Sequence, residues 1–444
     1  MNRPALARIR RPILGALGIG FAMGLLAFAL LCLANRMSLG HDDTARIRAA
    51  FASGDLQDRD WLPGNTDIGH HQFNDCLTLL QAIDQRGTTA QLTVSPIIWT
   101  DMPGGMCAKL HAFAERGGPT PPVAFYNRYL HGHTTLTRYL LPDHSVADIR
   151  ELYKKTEIRL LVLGISIAML TVALRRRRAA SGLVWFAAFI AFARFFGIEA
   201  FGQSLSHGPA DIVFVGAILA LALANLAGGA RLWLLLAGAA LFGALTIDFE
   251  FLSGGLPLGT ALVIGGTALA LRAKAKTSPV MAAASATIAF WAAVLTTIAI
   301  KLALVASTFG TGALAQIARS TEVRMAIIPT TGEPVDASFG RFVSELFWNL
   351  DALAPGAWPL PVLAMALGVA GGLWALFVLR PHPDVRVRQT AWLLAGSNLA
   401  LLVWVVATRQ HIVLHAWFMD RIFVWTIASG FGLFAYGAMK RRST

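Results

Sequence analysis

The sequence predicts an all-α polytopic membrane protein with about ten transmembrane helices and two large loops on one side of the membrane. The chain is 55% hydrophobic and only 14% charged, whereas soluble domains carry about 25% charged residues. Apolar runs of about 20 residues, the length that spans a bilayer, recur along the chain. The net charge of +13 comes from basic clusters between these runs, which is typical of cytoplasmic loops rather than of nucleic-acid binding.

The basic clusters set the predicted topology, with both termini in the cytoplasm. The first apolar run follows an arginine-rich start and predicts a retained helix rather than a cleaved signal peptide. The ten predicted helices cover residues 13–34, 158–174, 182–201, 211–229, 232–247, 256–271, 280–306, 357–379, 389–407 and 422–438. With this assignment every dense basic cluster lies on the cytoplasmic side, which is an independent check on the number of helices.

This topology divides the chain into five parts. They are a tail with the first helix (1–35), an extracytoplasmic loop domain (36–157), helices 2–7 (158–306), a second extracytoplasmic loop (307–355) and helices 8–10 (356–444). The first loop is long enough for a small folded unit. Its Cys76 and Cys107 either form a disulfide in an oxidising compartment or stay as two buried thiols. In the second loop, Trp348 and Trp358 predict an interfacial or re-entrant segment.

The stretch 409–421, RQHIVLHAWFMDR, places polar residues between the last two predicted helices. His411 and His415 are four residues apart, so a helix would place both imidazoles on one face. Asp420 and Arg421 stand where the next apolar run begins. Charge at a bilayer boundary is costly unless it faces a cavity or a partner, and so it indicates function. The alternative is a histidine-containing loop whose arginine reaches lipid phosphates.

Ionisable residues near the predicted helices gather at the outer ends, whereas the inner halves are almost purely apolar. The set comprises Arg194, Glu199, His207, Asp211, Asp248, Glu250, Lys301, His411, His415, Asp420 and Arg421. A transporter needs polar groups through the middle of the bilayer, because its site is reached from both sides. The distribution therefore favours an enzyme with a site at the outer leaflet.

In such a site the cations Lys301, Arg421 and Arg194 would bind a lipid phosphate or diphosphate. Acids such as Glu199 and Asp248 would serve as a base or bind sugar hydroxyls. The alternative is a set of internal ion pairs, Arg194 with Glu199 and Lys301 with Asp248 or Glu250.

Two stretches of the first loop supply further candidates. In GHHQFNDCLTLLQAI, Asp75 begins a predicted helix, where it is either a cap or a general base. In FYNRYLHGHTTLTRYLLP, tyrosines alternate with Arg128, His131, His133 and Arg138. This pattern suits sugar stacking and phosphate binding, and equally an interfacial helix on anionic lipid. The HGH triplet has no carboxylate or cysteine at a ligand spacing, so it indicates a metal only weakly.

An N-terminal helix, a large first outer loop with acidic residues and an outer-face site resemble the GT-C class of membrane glycosyltransferases. The stretches NRYLHGHTTLTRYLL, TIDFEFLSGGLPLG, WAAVLTTIAIK and RQHIVLHAWFMDR are also similar to segments of bacterial polytopic proteins associated with surface-glycan synthesis. The resemblance implies transfer of a sugar from a polyprenyl-phosphate donor to a glycan, lipid or protein acceptor. It places the protein in a bacterial inner membrane, with the active site facing the periplasm.

The resemblance also implies a catalytic acid in the first outer loop. Asp42 and Asp43 fit the position that the class uses, close after the first helix, whereas Asp75 has more polar neighbours and is preferred. The implied reaction is a single displacement, in which Lys301 and Arg421 stabilise the leaving phosphate. No cofactor is assigned, and the sequence leaves open whether the reaction requires a divalent metal. The alternatives are an O-antigen polymerase or ligase, another lipid-linked glycan enzyme, a flippase or transporter, and a non-enzymatic assembly partner.

Overall fold

The computed structural model describes residues 3–65, 67–100, 104–116, 122–249, 254–324, 338–354 and 356–441. Within these ranges the regular secondary structure is helical apart from one short two-stranded sheet. The N-terminal part comprises α1 (Arg3–Met37), α2 (Thr44–Ser53), α3 (Gln72–Ile83), α4 (Thr89–Val94), β1 (Ile97–Trp99), α5 (Met106–Arg116), β2 (Val123–Phe125) and α6 (Gly132–Leu140).

The rest of the chain forms the helical bundle and the elements that cover one of its ends. The middle part comprises α7 (Val146–Leu174), α8 (Ala179–Phe195), α9 (Ile198–Phe201), α10 (His207–Leu226), α11 (Leu232–Phe249), α12 (Gly255–Ala270) and α13 (Pro279–Phe309). The C-terminal part comprises α14 (Thr311–Arg324), α15 (Phe339–Trp348), α16 (Pro359–Leu379), α17 (Val385–Gly396), α18 (Asn398–Ala407), α19 (Arg409–Met419) and α20 (Val424–Arg441). Short 3₁₀ helices cover Arg176–Arg178, Asn349–Leu353 and Asp420–Phe423.

Across the described ranges, nine helical segments are long and apolar enough to cross a membrane. They are Arg10–Met37, Val146–Leu174, Arg176–Phe195, His207–Leu226, Leu232–Phe249, Pro279–Phe309, Pro359–Leu379, Val385–Ala407 and Asp420–Arg441. The tenth predicted run forms α12, which has only 16 residues and is buried along nearly its whole length. The prediction of an all-α, multi-pass membrane protein is therefore confirmed, with one helix shorter than the rest.

The two ends of the bundle differ, and we name them by what they carry. The loop face is the end covered by α2–α6, and the basic face is the opposite end, where Arg175–Arg178 follow α7. Small residues let the helices approach closely between these faces. A Cβ on Gly24 of α1 would lie 2.7 Å from the carbonyl oxygen of Ala293, and one on Gly430 of α20 would lie 2.5 Å from that of Gly368. Such contacts are typical of helices that associate in lipid, where no hydrophobic driving force acts between them.

The loop domain has a core of its own. Leu79, Leu80 and Ile97 are fully buried in it, and β1 pairs antiparallel with β2. Of the two alternatives for the cysteines, the structure has the disulfide, because Cys76 of α3 and Cys107 of α5 are bonded. In the second loop, Trp348 stacks on Trp358 with ring centroids 5.3 Å apart; its placement at headgroup depth stays a prediction.

Candidate active site

Arg421 lies at the loop-face end of the last membrane segment and is only 5% exposed. Its Nη2 donates to Oδ2 of Asp211 on α10, and its Nε donates to the carbonyl oxygen of Phe196 (2.6 Å). The guanidinium also lies over the rings of Phe196 and Phe201, 4.2 and 4.8 Å from their centroids, within the range of cation–π attraction. The arginine is thus held inside the protein and does not reach out to lipid phosphates.

A second carboxyl group, Glu157 of α7, lies beside this ion pair. Its side chain is fully buried, within electrostatic range of both Asp211 and Arg421. Among the described residues, neither carboxylate oxygen has a hydrogen-bond partner. Glu157 fits there because residue 202 is glycine, where a Cβ would come within 2.2 Å of Oε2. The three ionisable groups are neutral together only when one carboxyl carries a proton, so the cluster is suited to accept or donate one.

His207 completes the cluster and connects it to the loop domain. It begins α10, and its Nε2 lies 3.0 Å from Nδ2 of Asn74 on α3. Its ring packs against Phe418, 4.4 Å between centroids. A hollow of about 30 Å³ lies between His207, Asp211, Phe418 and Arg421. That volume holds about one water molecule, so a sugar phosphate could enter only after the surrounding helices separate.

Asp75, the preferred base in the sequence, is instead the centre of a buried anchor. Its Oδ2 accepts hydrogen bonds from Nη2 and Nε of Arg150 at 2.7 and 3.0 Å. Its Oδ1 accepts from the hydroxyl of Ser204 and the backbone N–H of Leu205, both at 2.8 Å. With 1% exposure and both oxygens occupied, Asp75 has no geometry for meeting a substrate hydroxyl. Its contacts join the loop domain to α7 and to the segment before α10.

Lys301 is buried in a different place from Arg421. Its Nζ donates to the carbonyl oxygen of Val94 and to the hydroxyl of Ser95 (3.0 Å), so it fastens α13 to the loop domain. It is not among the described residues that line the hollow. Asp248 is also buried, but no ion pair joins it to Lys301 in the described ranges. Glu250 lies outside the described residues.

Arg194 and Glu199 are both exposed at the loop-face end of α8 and in α9. No ion pair links them in the part of the chain that the structure describes, so the predicted internal pair is not found there. Arg194 lies beside the ring of Phe195, 5.8 Å from its centroid. Neither residue lines the hollow that contains Arg421.

The arginines and histidines of the 125–142 stretch divide into two groups. Arg138 is buried and donates to Asn35 (2.7 Å) and to the carbonyl oxygen of Gln81 (2.6 Å), which joins α6 to α1 and α3. Its burial lowers its pKa to about 10. Arg128 is exposed over the ring of Tyr126. Only Arg128 is therefore accessible for phosphate binding from this pair.

The two histidines of that stretch are neutral and buried. His131 has a left-handed backbone, φ 62°, at the start of α6, and its Nε2 bonds to the carbonyl oxygen of Tyr126 (2.9 Å). Burial, with the positive charge of Lys301, lowers the pKa of His131 well below its usual range. Burial lowers the pKa of His133 to about 3. Neither imidazole is a cation at neutral pH, so neither attracts phosphate by charge.

His411 and His415 lie together on α19, as their spacing predicts, with ring centroids 4.7 Å apart. The helix is interrupted at His415, whose φ of −135° is not helical. Burial, together with the charge of His415, lowers the pKa of His71 in the loop domain to about 3. His415 therefore stands close to the loop domain, three residues before the Phe418 that lines the hollow.

Asp42 and Asp43 lie just before α2, between the first helix and the core of the loop domain. Asp42 is exposed, and hydrogen bonds from Thr44 lower its pKa. Asp43 is partly covered, and this burial raises its pKa. Neither residue lines the hollow with Arg421. Both are more accessible than Asp75, so of the three predicted acids they are the two that a substrate could reach.

Sequence reasoning overlooked Glu157 as a site residue. It is the last residue before the apolar run 158–174, at the same depth as the other outer-end groups, and that position is the signal that could have found it. Asp211 and His207 were recognised as outer-end groups but received no role. The described residues contain no group of three or more His, Cys, Asp or Glu side chains that could hold a metal ion.

Comparison of the chain with protein-family models, with curated protein sequences and with solved structures gives no significant match.

Proposed function

We propose that this protein is a membrane-embedded transferase that moves a sugar from a polyprenyl-phosphate donor to an acceptor hydroxyl at the loop face. The observation that carries the proposal is the buried Arg421–Asp211 pair with Glu157 beside it. It combines a cation able to hold a phosphate, a carboxyl group able to take a proton, and a position at one end of an otherwise apolar bundle. The distribution of the other outer-end groups supports the same side.

Arg421 would bind the donor phosphate. A guanidinium has five N–H donors, and the contacts with Asp211 and Phe196 involve Nη2 and Nε. The remaining donors would face phosphate oxygens, where charge-assisted hydrogen bonds are about twice as strong as neutral ones. As the bond to the sugar breaks, negative charge grows on the phosphate, and a fixed cation stabilises that charge most in a site without water.

Glu157 would act as the base in place of Asp75. The acceptor hydroxyl oxygen attacks the anomeric carbon, and its proton passes to the Glu157 carboxylate. The bond between the anomeric carbon and the phosphate oxygen breaks, and polyprenyl phosphate leaves with the electron pair. This single displacement accounts for the sugar, the proton and the charge, and it requires no nucleotide.

Access to the site requires opening, because the hollow is far smaller than a sugar and Glu157 is fully buried beside Asp211 and Arg421 without lining the hollow itself. The interrupted helix α19 is suited to this movement, since His415 already departs from helical geometry and Phe418 of the same helix lines the hollow. Displacement of that segment would uncover Arg421 while leaving its partner Asp211 fixed on α10.

The test is turnover of polyprenyl-phosphate hexoses and pentoses by the purified protein in lipid vesicles, followed by mass spectrometry of released polyprenyl phosphate. We expect Glu157→Gln to lower turnover about 100-fold or more, in the range of general acid–base catalysis, and Arg421→Lys to lower it similarly. The matched control is Glu151→Gln, an exposed carboxyl on the same helix, which should retain wild-type turnover.

Two outcomes would overturn the proposal. One is a wild-type protein that leaves every donor chemically unchanged while moving it across the vesicle membrane, which would indicate a transporter. The other is full turnover by folded Glu157→Gln and Arg421→Lys variants, with folding checked by the thermal unfolding midpoint in detergent.

A further inference from the structure

A long cleft opens on the perimeter of the bundle between α10 and α11, away from the cluster around Arg421. Its volume is about 820 Å³, and its floor is α12, through Val263 and Thr267. Small-molecule sites occupy about 300–1,000 Å³, so this space is large enough for a ligand. The cleft exists because small residues face each other across it, including Gly216 on α10 and Gly238 on α11.

The long axis of the cleft is parallel to the helices, and so to the bilayer normal. On α10 its lining extends from Ile212 near the loop face to Ala224 near the basic face, a rise of roughly 18 Å at 1.5 Å per residue. One leaflet of the hydrocarbon core is roughly 15 Å thick, half of the whole core. The cleft is therefore long enough to hold the full length of an acyl chain.

The basic-face end of the cleft is positively charged. Arg231 and Arg272 line it there, both exposed, and the described lining residues include no Asp or Glu. The backbone beneath them is fixed, because Arg178 donates to the carbonyl oxygens of Gly228 and Leu271, both at 2.8 Å. Trp233 lies at the same end, and tryptophan prefers the headgroup depth of a membrane.

We propose that this cleft binds an anionic phospholipid, with an acyl chain along α10 and α11 and the phosphate at Arg231 and Arg272. Within the described ranges no acid pairs with Arg231 or Arg272. Charge complementarity therefore selects this occupant over a zwitterionic phospholipid, whose headgroup has no net charge to offer the two arginines. The position at the basic face also separates this site from the proposed donor site, which lies at the loop face.

The experiment is native mass spectrometry of the purified full-length protein titrated with phosphatidylglycerol or phosphatidylcholine of identical acyl chains. We expect phosphatidylglycerol to bind more tightly to the wild type. Removing each arginine, in Arg231→Ala and Arg272→Ala, should weaken phosphatidylglycerol about fivefold and leave phosphatidylcholine unchanged. Arg176→Ala, an exposed basic-face arginine outside the cleft, is the matched control and should change neither affinity.

A second pair of variants tests the acyl-chain part of the site. A Cβ on Gly216 or Gly238 would meet nothing within 4 Å, so a side chain can begin there in open space. Gly216→Leu and Gly238→Leu would extend into the cleft and favour the helix. Both should weaken phosphatidylglycerol. Equal binding of the two phospholipids, unchanged phosphatidylglycerol affinity in Arg231→Ala and Arg272→Ala, or tighter binding of polyprenyl monophosphate than of phosphatidylglycerol would overturn the proposal.

Discussion

Arg421 and Asp211, 210 positions apart in the sequence, form a buried ion pair at the loop-face end of the bundle. The pair joins the last membrane segment to α10, and both side chains are at most 5% exposed. A buried ion pair is poor evidence for stability by itself, but removal of one partner leaves an uncompensated charge. Its position next to Glu157 is the basis for a functional role.

The first prediction separates the stability of this pair from its chemistry. We expect Asp211→Asn to destabilise the protein by about 3–5 kcal/mol, because the guanidinium stays buried without its counter-charge. The double variant Asp211→Leu with Arg421→Met should recover most of that stability and still lack turnover. Unfolding midpoints in detergent measure the first effect. A double variant with sugar-transfer activity would remove Arg421 from the mechanism.

The second prediction concerns Asp75 and Arg150. We expect Asp75→Asn to cost about 3–5 kcal/mol, since Arg150 would lose its buried partner. Any loss of turnover should match the loss of folded protein. The measurement is activity per folded molecule, with folding followed by size-exclusion chromatography and thermal unfolding. A variant that folds normally but does not turn over would restore Asp75 as the base.

The third prediction concerns the disulfide between Cys76 and Cys107. The bond closes a loop with a sequence separation of 31 residues, for which the chain-entropy model gives a stabilisation of about 3–4 kcal/mol. We expect the Cys76→Ser, Cys107→Ser double variant to unfold at a lower temperature, with the loop domain affected first. Limited proteolysis resolves the two regions. Cys32→Ser, which removes the free cysteine of α1, serves as the control and should unfold like the wild type.

The fourth prediction concerns pH and the buried imidazoles of the loop domain. Burial lowers the pKa of His71 and of His133 to about 3, whereas an unfolded histidine has a pKa near 6.5. Between these values the unfolded chain binds more protons, so stability is fully present above about pH 6.5 and falls as the pH drops towards 3. The slope is up to about 1.4 kcal/mol per pH unit for each histidine.

The check on this pH dependence is a series of unfolding midpoints from pH 7.5 to 4.5. We expect His133→Gln to show a shallower decline than the wild type, because one titrating group has gone. His144→Gln, in the turn before α7, is the control. It removes an exposed imidazole, so its stability should fall with pH as steeply as that of the wild type. Parallel declines in all three proteins would contradict this origin.

The fold class and the order of the membrane segments follow from the sequence alone. A run of apolar residues long enough to span a bilayer is a local property, and so is a cluster of arginines between two runs. The gathering of ionisable groups at one end of the helices is likewise read from depth along each run. The shortness of α12 was visible in the same way, because its predicted run, 256–271, has 16 residues, as the helix itself does.

The identities of the partners were decided by the tertiary structure. Depth along a helix does not give its rotation or its neighbours, so Lys301 and Arg421 were placed together although one contacts Val94 and the other Asp211. The sequence favoured Asp75 as the base, but in the structure its carboxylate is bound by Arg150, which lies 75 positions away in the chain. Glu157 was not predicted as a site residue, because its role depends on neighbours on other helices. A buried charge acquires its role from the groups that replace water around it, and packing alone fixes those groups.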